Sequence, residues 1–90
     1  MDLEDLKLEI IKKIIRYIVM YHDDKNDAVR RLEFIGRIDT AFHILAYMVK
    51  ECQINGDFKS LTVDGICYTY EVISDNPPRY EMLSNAVDKE

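Results

Sequence analysis

Positive charge is scarce in this chain. Twelve Lys and Arg stand against seventeen Asp and Glu over ninety residues, a formal charge of -5. Sequence-independent binding to nucleic acid draws its free energy from counterions that Lys and Arg displace, so this balance argues against such a partner. It suits solubility, or a protein partner that itself carries a basic groove. Glycine is scarce too: Gly36, Gly56 and Gly65 are the three present, none near another, which excludes a phosphate-cradling loop. The two cysteines, Cys52 and Cys67, lack Cys-x-x-Cys spacing and read as free thiols filling small apolar sites in a reducing compartment. Residues 41–49 are apolar but for His43, a run too short to cross a bilayer. Residues 10–21 are broken by Lys12, Lys13 and Arg16 and cannot span a bilayer. The opening residues 1–5 are acidic where a secretory start would be basic, so a cytoplasmic location is expected.

What is present is globular: 48% hydrophobic and 32% charged. At 10.6 kDa the area scaling gives roughly 5,500 Å² exposed when folded, against about 15,400 Å² unfolded. That is a modest core for one small domain, and a partner surface would add to it.

The first predicted helix runs from residue 2 to about residue 21. Asp2 is placed to cap it, Asp5 resembles the third position of a capping box, and the acidic-then-basic order of its charges suits the helix dipole. Ile doublets recurring every four residues give a wide apolar stripe. Residues 22–26 form a short polar turn, so the next helix should return antiparallel. That second helix is expected over residues 27–53. Its apolar series Ala28, Leu32, Ile35, Ile38, Phe42, Leu45, Val49 and Cys52 averages close to a coiled-coil spacing. The series keeps its phase across Gly36, which favours one helix with at most a slight kink or a close crossing there. Such a helix would span roughly 40 Å, in a domain only about 31 Å across. Its overhanging end is apolar, and that predicts a homodimer with Ile35, Ile38, Phe42, Leu45 and Val49 at the seam.

Asn55-Gly56 should stop the helix. Two alternating runs, 58–63 and 66–72, flank Asp64-Gly65, a strong hairpin signal. A two-residue loop pairs Val63 with Ile66, Leu61 with Tyr68 and Lys59 with Tyr70. Leu61, Val63, Ile66, Tyr68, Tyr70 and Val72 then share an apolar face, and Ser60, Thr62, Cys67, Thr69 and Glu71 a wet one. Pro77-Pro78 argues against regular pairing beyond the hairpin. Residues 81–87 suggest at most a weak helical turn or two. The expected fold is thus α+β: two antiparallel helices and a C-terminal β-hairpin in a domain of residues 1–74, followed by a Pro-containing, partly disordered tail of residues 75–90.

Three arrangements invite a chemical reading. His22 beside Asp23 and Asp24 could suggest a metal site, but ligands from one short loop cannot surround an ion, so none is expected. Asp39, His43 and Tyr47 share a helix face; without a partnering nucleophile or an oxyanion loop they read as a buried His satisfied by a carboxylate. Pro77-Pro78-Arg79-Tyr80 fits the pattern that WW domains bind, although four residues are a weak signal. No cofactor is implied, and an enzyme is not expected. The function anticipated is that of a small acidic regulator or inhibitor that occupies a protein partner's surface. Tyr17, Tyr21 and Tyr80 are its candidate contacts. Size and charge are of a kind common among phage and mobile-element proteins, which is an analogy only. An alternative breaks the second helix at Gly36, giving the three helices and hairpin of a winged helix-turn-helix. Its recognition helix, residues 40–53, would offer almost no polar side chains to base edges.

Overall fold

The structure, a computed structural model, describes residues 2–75 and 77–86. Helix α1 spans Leu3–Tyr21, and helix α2 spans Ala28–Ala46. Four strands follow: β1 (Cys52–Ile54), β2 (Leu61–Val63), β3 (Ile66–Asp75) and β4 (Pro78–Ala86). They form one antiparallel meander in the order β1-β2-β3-β4. The class is α+β, as expected.

Both helix starts follow from local chemistry. The Asp2 carboxylate accepts from the Asp5 amide at 2.8 Å, and the Asp27 carboxylate from the Arg30 amide at 2.8 Å. Each side chain satisfies an amide that lacks an intrahelical acceptor. Between the helices, the Asn26 side chain donates to the Met20 and Tyr21 carbonyls, closing the end of α1.

The isoleucine stripe becomes the centre of the core. Ile11, Ile14, Ile15 and Ile18 of α1 are fully buried. They meet Ile38, Ala41 and Leu45 of α2 and Leu61 and Val63 of β2. Among the described residues no polar side chain is buried, so the core is held by apolar contact alone.

The hairpin forms in the expected register, with Val63 opposite Ile66 and Leu61 opposite Tyr68. Asp64 and Gly65 both hold positive φ, 47° and 83°, the mark of a type I′ turn. The Lys59–Tyr70 pair lies outside the ladder, because β2 begins at Leu61.

Two expectations are corrected. Helix α2 runs unbroken through Gly36 but stops at Ala46, well short of residue 53. Its 19 residues span roughly 28 Å, so the overhang that argued for a dimer is absent. The cause lies far along the chain. The Asp64 carboxylate accepts from the Lys50 and Glu51 amides at 2.9 and 2.8 Å. That contact draws the segment onto the hairpin, where β1 pairs with β2. Asn55-Gly56 therefore belongs to the β1–β2 connection: the Asn55 amide donates to Ser60 O, and its side chain donates to Ser60 Oγ at 2.7 Å. The continuous α2 also removes the three-helix layout that a winged helix-turn-helix requires.

The second correction concerns residues 75–90. In place of a loose tail or helical turns, β4 pairs with β3 from Asp75 opposite Pro78 to Ile66 opposite Ala86. Pro78 is tolerated because it opens an edge strand, where a missing amide donor costs no ladder bond. Residues 87–90 lie outside the described residues.

Candidate interaction surfaces

The predicted dimer seam divides between two surroundings. Ile38 and Leu45 are buried in the chain's own core, and Phe42 and Val49 pack half-buried against it. These residues cover the chain's own isoleucines instead of lying open to a second copy. Ile35 stays outside, 39% exposed. The coiled-coil spacing thus contained two neighbouring stripes, one taken by α1 and the sheet, the other left free.

The free stripe runs through Ala28, Leu32, Ile35 and Asp39, at spacings of four, three and four. Leu32 is 68% exposed, and Val29 beside it 75%. A Cβ built on Gly36 would meet nothing within 4 Å, so the backbone there is bare toward solvent. Leu32 belongs to this stripe although it stood in the apolar series without being placed at the predicted seam. The signal was present in its spacing from Ile35 and masked by the wider apolar series.

The three tyrosines expected as partner contacts are engaged within the chain. The Tyr17 ring lies 6.4 Å from that of Phe34, with the Arg37 guanidinium 5.8 Å from its centroid. Tyr21 meets Phe58 edge-on at 4.9 Å. Tyr80 meets Tyr70 edge-on at 6.4 Å. Each is half-buried at the core's rim, since a ring with a polar tip gains from lying across an apolar boundary. The Pro-Pro-x-Tyr segment is accordingly not free: Arg79 and Tyr80 sit in the β3–β4 ladder.

The remaining chemical candidates are likewise accounted for. His22 turns away from Asp23 and Asp24, and its Nε2 donates to the Phe58 carbonyl at 2.8 Å. His43 is exposed rather than buried; its Nδ1 donates to the Asp39 carbonyl at 2.7 Å, with the Asp39 carboxylate at 3.5 Å. Tyr47 stands 92% exposed past the helix end. Cys52 is half-buried against the core, whereas Cys67 lies on the wet face, its Sγ 3.9 Å from Asn55 Nδ2.

A groove of about 710 Å³ opens between the α1–α2 turn and the β3–β4 end of the sheet. Phe34, Tyr70 and Tyr80 supply its apolar lining, and Arg16, Lys25, Arg30 and Arg79 bring cations from four elements. No sequence motif marks it, because its parts are contiguous only after folding. Compared with known family models, curated proteins and solved structures, the chain matches none.

Proposed function

We propose that this protein is a homodimeric interaction module that regulates a partner protein by occupying its surface. One observation carries the reading: the uncovered stripe on the outer side of α2, with Leu32 and Ile35 at its centre. Helices associate by packing such four-and-three ridges into the grooves of another helix. The stripe is also self-complementary in charge. Arg31, Ile35 and Asp39 follow one another at four-residue spacing. An antiparallel pair of α2 helices centred on Ile35 sets each Asp39 against Arg31 of the other copy. The net charge and a cytoplasmic setting fit a soluble regulator.

Sedimentation equilibrium across the micromolar range tests this. The expected result is a dimer that Leu32→Glu, or Ile35→Lys, converts to a monomer with an unchanged circular dichroism spectrum. Asp39→Arg should weaken the dimer, and adding Arg31→Asp should restore it. A well-folded monomer at high micromolar concentration would refute the dimer. For regulation of a partner, capture from the native lysate that returns only the chain itself would count against the reading.

A further inference from the structure

The free edge of β4 and the groove at its start together form a second surface, on elements other than the α2 stripe. The hairpin fixes which backbone groups face that edge. Residues flanking a two-residue loop exchange both backbone hydrogen bonds, and bonded and non-bonded pairs then alternate. Val63 with Ile66 is the flanking pair, so Leu61 with Tyr68 is also bonded. Tyr68 therefore points its backbone toward β2, and Cys67 and Thr69 point theirs toward β4. Their partners Asn85 and Leu83 bond back to β3. Tyr80, Met82, Ser84 and Ala86 are left with amides and carbonyls directed outward. No other strand of the described sheet lies beyond them. Edge strands are commonly protected by charge, proline or a bulge. Here Pro78, Arg79 and Glu81 guard the start, but residues 82–86, Met-Leu-Ser-Asn-Ala, carry no charge.

The groove at the guarded end supplies the selectivity. Its four cations make no ion pair among the described residues, in a chain where Lys7, Lys12 and Arg37 do. Its three carboxylates are Asp23, Asp24 and Asp75, and the first is already occupied by the Lys25 amide at 2.9 Å. Cations therefore outnumber acids in the groove by four to three. The rest of the chain has eight cations (twelve less four) against fourteen acids (seventeen less three). The Arg30 guanidinium stands 5.8 Å from the Phe34 ring centroid, which orders its fork for a carboxylate.

We infer that β4 accepts an extended acidic peptide segment of a partner protein as a fifth strand, its carboxylates meeting Arg16, Arg30 and Arg79 in the groove. Main-chain bonds along the edge then give affinity, and the groove gives selectivity. A second copy is a poorer occupant of this edge, because two chains of -5 repel and its own β4 carries a single carboxylate, Glu81. The inference rests on the reading of the chain as an interaction module and not on the α2 dimer.

The probe is a fluorescent ten-residue peptide alternating Glu with Thr, titrated into the full chain at low salt. Binding is expected, with at least tenfold loss in the Arg30→Glu, Arg79→Glu double variant and a similar loss on raising ionic strength. Ser84→Pro removes an outward amide without touching the β3 ladder. It should abolish binding while leaving the circular dichroism spectrum and Tm nearly unchanged. A peptide N-methylated at every residue should fail where the plain one binds. Equal binding of a Lys-Thr peptide would overturn the charge argument, and full binding by Ser84→Pro would overturn strand addition. Tighter binding of a single-stranded oligonucleotide than of the peptide would overturn the choice of partner. The Leu32→Glu variant should bind the peptide as the unaltered chain does, so failure of the α2 dimer and failure of this site are read separately.

Discussion

The Asp64 carboxylate accepts two amides, from Lys50 and Glu51, while its backbone holds a φ of 47°. Its amide also donates to Glu51 O at 2.9 Å. One residue thus shapes the hairpin turn and ties β1 to it. Asp64→Ala should cost about 1–2 kcal/mol, since charge-assisted bonds to backbone amides are lost. Thermal unfolding should show a Tm lower by roughly 5–15 °C, and a change within error would disprove this role. A second residue-scale effect is the response to alkali. Burial pushes the Cys52 thiol up, with the Asp64 carboxylate adding to it. Burial, and then Asp57, raises the Tyr70 phenol, and the hydrogen bond to Glu4 raises the Lys7 ammonium. In each case the folded chain holds its proton longer than the unfolded one. The resulting stability is fully present below the unfolded value and is lost as pH climbs toward the folded one. Tm should therefore fall from about pH 8.5 upward, beginning with the thiol, and the Cys52→Ala variant should fall less steeply there. A Tm that rises through this window would contradict the assigned directions.

At the scale of the element, α2 tests the weight of a single glycine. Gly36 sits within a continuous helix, and its Cβ position is open. Gly36→Ala should stabilise the monomer by about 0.5–1 kcal/mol, through helix propensity and a less flexible unfolded chain. Denaturant titration of a monomeric background such as Leu32→Glu would measure it, and destabilisation would mean that the glycine serves a bend. β4 offers the opposite contrast. Leu83 bonds back to β3 by the alternation of the ladder, so Leu83→Pro should cost about 1–3 kcal/mol through the lost bond and its unpaired acceptor. Ser84→Pro, one residue on, should cost far less. A larger loss in Ser84→Pro than in Leu83→Pro would mean that the ladder runs in the other phase. The end of α2 was not legible in the sequence, because the same apolar residues satisfy a helical stripe up to Leu45 and a strand alternation from Cys52. Which pattern wins after Ala46 depends on Asp64, which lies beyond any local window.

For the whole molecule, the decisive contrast is between the two stripes of α2. Leu45 is fully buried, and Leu45→Ala should cost about 2–5 kcal/mol. Leu32 is exposed, and Leu32→Glu should leave monomer stability within about 0.5 kcal/mol while changing only association. Chemical unfolding of both variants checks the assignment, and comparable losses would erase the distinction between core and contact surface. The groove belongs to this scale as well. Arg16, Lys25, Arg30 and Arg79 come from a helix, a turn, a second helix and a strand, so no spacing rule could have joined them.

The sequence by itself determined the α+β class, both helix starts, the isoleucine core stripe and the hairpin register. Each rests on residues close together in the chain: a capping aspartate, a four-residue repeat, an Asp-Gly pair. Only the tertiary structure decided where α2 ends, that residues 78–86 complete the sheet, and which half of the α2 seam the chain keeps for itself. Those outcomes turn on contacts between distant residues, which compete with local preference and lie outside any local stretch of sequence.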